Sequence, residues 1–105
     1  MKALGFTTIK KNWILEGKKN STWRINSTKD LKVDDKVALI ESATGEIFAQ
    51  AIITSVVDKN ITDVTKADME GKYTSKEEMF TDLRRFYADI NNNSMVKMIA
   101  FKIKQ

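Results

Sequence analysis

Apolar and polar residues alternate in short segments along most of the chain, a pattern typical of strands with one buried face. In the second of these segments, Thr22 and Arg24 share one face and Trp23 and Ile25 share the other. Ser42–Gly45 is a hairpin turn between the third and fourth segments. The pattern predicts strands over Ala3–Phe6, Thr22–Ile25, Lys36–Glu41, Glu46–Val57 and Met95–Lys104, and a short edge strand over Ile61–Val64.

The segment after the first strand follows the helical period instead. Thr7 or Thr8 can cap a helix that runs to about Glu16, and Gly17 fits its stop. The same spacing predicts an inner face formed by Ile9, Trp13 and Ile14.

A second helix is predicted behind Ser75-Lys76-Glu77-Glu78, which has the pattern of a capping box with Ser75 at the N-cap and Glu78 at N3. Its core contacts are expected from Met79, Phe80, Leu83, Phe86 and Tyr87, which follow helical spacing. The polar run Asn91–Ser94 marks the turn into the last strand.

The order of elements is strand, helix, about four strands, helix and strand, with hairpins dominant and no repeating βαβ unit. This order predicts an α+β, mostly β fold, in which a small and mostly antiparallel β-barrel carries two flanking helices. The 105 residues are enough for one domain, and we interpret residues 1–105 as a single domain.

Composition excludes several classes of chemistry. The sequence has no Cys and no His, so zinc sites of thiolates or imidazoles, cysteine nucleophiles and Ser-His-Asp triads are excluded. A general base would have to be Lys, Asp, Glu or Tyr. The four glycines stand singly, so no glycine-rich phosphate loop is present. We expect no metal and no cofactor, and a cytoplasmic protein that does not enter a membrane.

The net charge of +4 is unevenly distributed. Residues 1–36 carry nine Lys/Arg against four acids, a net of +5, whereas residues 37–105 carry nine against ten, a net of −1. Such an excess can attract a polyanion, but an ordinary solvated lysine surface has the same composition.

Three of these basic residues lie in one motif, between Ile14 and Arg24. The run from Ile14 to Arg24 consists of an apolar helix end, Gly17, the basic pair Lys18-Lys19, a short spacer, Thr22, one residue and Arg24. This order resembles the signature of the ASCH domain family.

Further segments resemble the same family in the same order. Lys32-Val33-Asp34-Asp35 is similar to its K-x-G-D turn, with Asp34 in place of the usual glycine. Met69-Glu70-Gly71 is similar to its acidic E-G loop, and Arg85-Phe86-Tyr87 and the apolar strand Val96–Ile103 also match. The resemblance covers nearly the whole chain.

The resemblance implies a PUA-like β-barrel with a groove that binds RNA or a nucleotide. The groove would be lined by the Gly-Lys-Lys loop, the Thr-x-Arg strand and the acidic loop. Lys18, Lys19 and Arg24 would contact phosphate or a base edge, and Tyr73 is a candidate for the rim. The expected partner is RNA or a modified nucleoside, and we expect the protein to be a monomer.

The resemblance also implies an alternative, because one bacterial branch of small ASCH proteins removes the acetyl group from 4-acetylcytidine. The Lys, Thr and Glu of that amidohydrolase correspond to Lys19, Thr22 and Glu70, with Asp68 the nearest substitute for Glu70. This sequence departs from the branch at Asn20, where a threonine is usual. A ribonuclease or an adaptor that uses the same groove is a third interpretation.

Physical chemistry allows the alternative. Thr22 offers a hydroxyl, and Lys19 could accept its proton if burial and a nearby cation lowered the lysine pKa, although a close Glu70 would raise it. Trp13 and Trp23 could stack on bases, but helical and strand spacing favours the core for both.

Overall fold

The computed structural model describes residues 2–104, which contain five strands, three α-helices and one 3-10 helix. In chain order they are β1 (Lys2–Phe6), α1 (Thr8–Leu15), β2 (Ser21–Ile25), β3 (Lys36–Glu41), β4 (Ile47–Asn60), the 3-10 helix (Ile61–Asp63), α2 (Lys66–Met69), α3 (Lys76–Leu83) and β5 (Met95–Ile103). No helix within residues 2–104 is long and apolar enough to cross a membrane.

The five strands form one mixed sheet in the order β1-β3-β4-β5-β2. β3 and β4 are antiparallel, whereas β1 and β3 are parallel. Asn20 O accepts from Phe101 N at 2.9 Å and Asn26 N donates to Met95 O at 2.8 Å, so β2 runs antiparallel to β5. The predicted α+β, mostly β class is confirmed and is consistent with a PUA-like barrel. The parallel pair is possible because α1 and β2 separate β1 from β3.

The residues cluster into two compact units. The first contains residues 2–23, 29–56 and 98–104 among those described. Its core is apolar, and the ring of Phe6 lies 6.4 Å from that of Phe48 and 6.0 Å from that of Phe101. The buried residues of this core are Leu4, Phe6, Ile14, Leu31, Val37, Leu39, Ala51, Ile53, Ile99 and Phe101.

The second unit contains residues 24–28 and 57–97 and includes the 3-10 helix, α2 and α3. Its buried apolar residues are Ile25, Ile61, Val64, Met69, Met79, Leu83, Ile90 and Val96. The edge strand predicted over Ile61–Val64 is wrong, since Asn60 accepts from Thr62 N at 2.9 Å and caps the 3-10 helix there. The interpretation of residues 1–105 as one domain stays a prediction.

Helix α1 has the predicted ends but a different inner face. Thr7 is its N-cap, and Gly17 follows it with φ of 77°. Ile14 is buried, whereas Ile9 is 62% exposed and Trp13 is 46% exposed. The expected core position of Ile9 and Trp13 is therefore wrong. Lys11, three residues before Ile14, occupies the inner side because its ammonium pairs with Glu41.

Helix α3 confirms Ser75 as its N-cap, since Glu78 N donates to Ser75 Oγ at 3.1 Å. Met79 and Leu83 are buried as predicted. Phe86 is 53% exposed, so its expected core position is wrong. The helix ends at Leu83, and helical spacing no longer governs the residues beyond it.

Two further differences concern the sheet and its connections. β4 continues to Asn60, three residues beyond the predicted end at Val57. Helix α2 was not predicted, although Thr65 and Asp68 form a capping box at its start.

Candidate functional site

The Gly-Lys-Lys loop begins at the end of α1. Gly17 adopts φ of 77°, and Lys18 N then donates to Trp13 O at 2.8 Å, which closes the helix as in a Schellman motif. The exposed Lys18 ammonium lies 3.0 Å from a carboxylate oxygen of Glu16. Lys19 is half-buried, and Asn20 alone separates it from β2. The backbone thus presents two adjacent cations between a helix end and a strand.

Strand β2 runs from Ser21 to Ile25, so Thr22 and Arg24, two residues apart, share one face by strand geometry. Burial along β2 does not alternate, since its buried residues are Thr22 and Ile25. Thr22 is only 6% exposed, which is unusual for a polar side chain on a half-buried strand. Burial lowers the pKa of the half-buried Arg24 guanidinium, and the phenol of Tyr87 opposes that shift. An arginine remains charged at neutral pH, so this face holds a partly dehydrated cation next to a buried hydroxyl position.

Tyr87 interacts with Arg24 and was not among the predicted site residues. The sequence placed it in the core-facing series behind Ser75 and in the segment Arg85-Phe86-Tyr87 that resembles the ASCH family, without a role in the site. Local spacing does not predict an interaction between Tyr87 and β2, because Arg24 lies 63 positions earlier in the chain.

The acidic loop lies after α2. Glu70 is the exposed C-cap residue of that helix, and Gly71 follows with φ of 80°. Asp68, the substitute considered for Glu70, accepts hydrogen bonds from Lys59 Nζ at 2.6 Å and from Thr65 N at 2.9 Å. Asp68 is therefore committed to the helix cap and an ion pair, whereas Glu70 presents its carboxylate to solvent.

Tyr73 is half-buried and donates its hydroxyl to Asp82 at 2.7 Å. Burial raises the pKa of Tyr73, and the hydrogen bond to Asp82 adds to the shift. The phenol is therefore a neutral donor whose bond joins the loop after α2 to α3.

The predicted site residues divide between the two units. Lys18, Lys19 and Thr22 belong to the first unit, and Arg24, Glu70 and Tyr73 belong to the second. The segment from Lys18 to Arg24 is continuous in the chain. No cluster of three or more acidic side chains that could hold a metal ion occurs within residues 2–104.

Asp34 adopts φ of 75°, a left-handed conformation. This is the position at which the resembled turn carries glycine, and the conformation explains that preference. Asp34 N donates to Ile53 O at 2.8 Å, and Asp35 accepts from Lys32 N at 2.9 Å. The turn therefore forms with aspartate in the place of glycine.

A buried carboxylate outside the predicted site holds α1 against β3. Glu41 is 6% exposed and accepts from Thr8 Oγ1 at 2.7 Å, Thr44 Oγ1 at 3.1 Å and Lys11 Nζ at 3.4 Å. The hydrogen bond from Thr8 holds the pKa of Glu41 low against the effect of burial, aided by Thr44 and Lys11. No local pattern predicts this cluster, because Thr8 lies 33 positions from Glu41.

Three solved structures illustrate the likeness of this fold to known proteins. An ASCH domain from Lactobacillus crispatus has 15% identity and a TM-score of 0.69 over 97% of this chain and 78% of its own. An ASCH protein of Zymomonas mobilis has 10% identity and a TM-score of 0.65 over 95% of this chain and 65% of its own. A protein of Enterococcus faecalis assigned to DUF984 has 10% identity and a TM-score of 0.71 over 89% of this chain and 65% of its own.

A hypothetical protein with 19% identity and a TM-score of 0.71 matches 99% of this chain over 100% of its own length. No family model and no curated protein matches the sequence. The chain spans about two thirds of the Zymomonas and Enterococcus structures. The chain therefore has the fold of the ASCH domains, although its sequence identity to them is low.

Proposed function

We propose that this protein binds RNA or a nucleotide through the Gly-Lys-Lys loop and the Thr-x-Arg strand. The observation that carries the proposal is the half-buried Arg24, whose pKa is lowered by burial, on the same face of β2 as the buried Thr22. A guanidinium in a partly dry position forms stronger hydrogen bonds to a phosphate or a base edge than one in bulk water.

The charge of the surrounding chain supports the same proposal. Asn20 alone separates the pair Lys18-Lys19 from β2. Residues 1–36 carry a net charge of +5, from nine basic and four acidic residues. Phosphate contacts of this kind release counterions, so the affinity for a single strand should fall as salt rises.

Titration of a labelled oligoribonucleotide with single-site variants tests the proposal. Lys19→Ala and Arg24→Ala should each weaken binding and reduce the slope of log affinity against log salt by about 0.7 for each phosphate that the variant no longer neutralises. Arg24→Lys keeps the charge but removes the planar fork, so it should bind less tightly than the wild type.

Lys36→Ala is the matched control, because it removes one positive charge from an exposed position elsewhere. It should leave binding close to that of the wild type. Equal affinities for Lys19→Ala, Arg24→Ala and Lys36→Ala would remove this segment as the binding site.

The buried hydroxyl of Thr22 favours a second candidate, an amidohydrolase that removes the acyl group from N-acylated cytidine. Thr22 Oγ1 would attack the acyl carbonyl as Lys19 accepts its proton, and the C–N bond would break as Glu70 relays that proton to the leaving amine. Water would then hydrolyse the ester on Thr22 and release the acyl group as a carboxylic acid. Turnover of 4-acetylcytidine, followed by mass spectrometry, should then disappear in Lys19→Ala and Thr22→Val. No conversion by the wild type at high enzyme concentration would leave binding as the function.

A further inference from the structure

The C-terminal end of α3 carries two exposed arginines followed by an exposed aromatic residue. Arg84 is the C-cap of the helix, and Arg85 and Phe86 continue its last turn through bonds to Asp82 O at 3.1 Å and Leu83 O at 3.1 Å. Phe86 is 53% exposed. We name Arg84, Arg85 and Phe86 the α3 patch.

Neither arginine of the α3 patch forms an ion pair with any residue among 2–104. Two of the three acids on α3 have other hydrogen-bond donors, since Asp82 accepts from Tyr73 and Glu78 accepts from Thr74. The third, Glu77, lies in the first turn, at the opposite end of the helix from Arg84. Two positive charges on adjacent residues are thus left available to an external anion.

The orientation of Arg84 argues against a purely structural role at the helix end. A cation can stabilise a helix by lying against its last carbonyls. The guanidinium of Arg84 instead lies over the ring of Phe80, 5.3 Å from its centroid. A guanidinium attracted to the face of an aromatic ring keeps N–H donors that can bind an external group.

We infer that the α3 patch binds single-stranded RNA, with Arg84 and Arg85 on phosphates and Phe86 stacked against a base. Sequence-tolerant binding of single strands uses this combination of cations and exposed aromatic rings. The inference rests on the proposed function and makes its ligand a strand of several nucleotides, since a mononucleotide bound at Lys19 and Arg24 would not need the α3 patch. An anionic membrane fits less well, because Phe86 is the single large apolar side chain exposed within this patch.

The test compares two probes, cytidine monophosphate and a labelled oligocytidylate of about twelve nucleotides. Arg84→Ala/Arg85→Ala should weaken oligocytidylate binding about tenfold and reduce its salt slope by about 1.4, at about 0.7 per phosphate. Phe86→Ala and Phe86→Leu should weaken it by a similar factor, whereas Phe86→Trp should preserve it, because only an aromatic face stacks. Binding of cytidine monophosphate should not change in any of these variants.

Lys36→Ala/Lys104→Ala is the matched control, because it removes two charges from exposed positions outside both regions. Oligocytidylate binding that is equal in this control and in Arg84→Ala/Arg85→Ala would overturn the inference and leave the proposed function intact. Wild type that binds neither probe would overturn the proposed function and, with it, the inference. Loss of binding to phosphatidylglycerol vesicles, but not to oligocytidylate, in Arg84→Ala/Arg85→Ala would assign the patch to a membrane and overturn the inference.

Discussion

Asp34 and Asn26 are the non-glycine residues among 2–104 that adopt a positive φ, at 75° and 49°. They tolerate it in different ways. Asn26 Oδ1 accepts a hydrogen bond from Met95 N at 2.8 Å, and this bond offsets the cost of the left-handed conformation. No hydrogen bond or ion pair of the Asp34 side chain occurs within residues 2–104.

Asp34→Gly should therefore stabilise the protein. Relief of the left-handed conformation outweighs the greater freedom of glycine in the unfolded chain, and we expect a gain of about 0.5–1 kcal/mol in the free energy of unfolding. Urea denaturation measures it. Asn26→Gly is the contrast, since it removes the bond to Met95 and should gain nothing. A decrease in stability in Asp34→Gly would show that the aspartate side chain has a stabilising contact.

At the scale of elements, α1 is attached to β3 by a polar contact as well as by apolar packing. Ile14 is 2% exposed and belongs to the core of the first unit, whereas Trp13 is 46% exposed. The two neighbours should respond very differently to truncation.

Ile14→Ala should cost about 2–4 kcal/mol of unfolding free energy, because it leaves a cavity in the core. Trp13→Ala should cost less than Ile14→Ala, since Trp13 lies outside the core cluster and its truncation leaves no enclosed cavity. Thermal or urea unfolding of both variants measures the difference. Equal losses would mean that Trp13 packs on the core.

Glu41 makes the attachment of α1 dependent on pH. The hydrogen bond from Thr8 is the largest cause that holds the pKa of Glu41 below its ordinary value of 4.5. A carboxylate with a lowered pKa in the folded state contributes stability above its unfolded pKa, and that contribution is lost as pH falls through the folded pKa.

Glu41→Gln should therefore lower the melting temperature most at pH 7, and the difference from the wild type should shrink below about pH 4.5. Melting curves at several pH values measure it. Glu46→Gln, at an exposed position, serves as the control and should follow the wild type throughout. A difference that stays constant from pH 7 to pH 3 would mean that Glu41 does not act through its charge.

For the whole molecule, the sequence predicted the fold class and most strands because period-2 alternation and turn residues are local signals. It also predicted the ends of α1, from Thr7 and Gly17. It failed at Trp13, where an eight-residue helix is too short for its apolar spacing to define the buried face, and at Phe86, which lies beyond the end of α3. It could not find Glu41 or Tyr87, because their partners are distant in the chain.

The candidate site was accessible from sequence only in part. Thr22 and Arg24 share a face of β2 by strand geometry, but burial along β2 does not alternate, because its buried residues are Thr22 and Ile25. The burial of Thr22 and the dehydration of Arg24 depend on residues of other elements, and no local pattern reports them.

The salt dependence of oligoribonucleotide binding by the unmodified protein tests whether Lys18, Lys19 and Arg24 bind phosphates. Lys18, Lys19 and Arg24 together should give a slope of log affinity against log salt of about −2, at about −0.7 per phosphate, and contacts by Arg84 and Arg85 would make it steeper. Fluorescence anisotropy between about 50 and 200 mM salt measures the slope. No binding at about 50 mM salt, or binding with a slope of zero, would contradict phosphate binding by these residues.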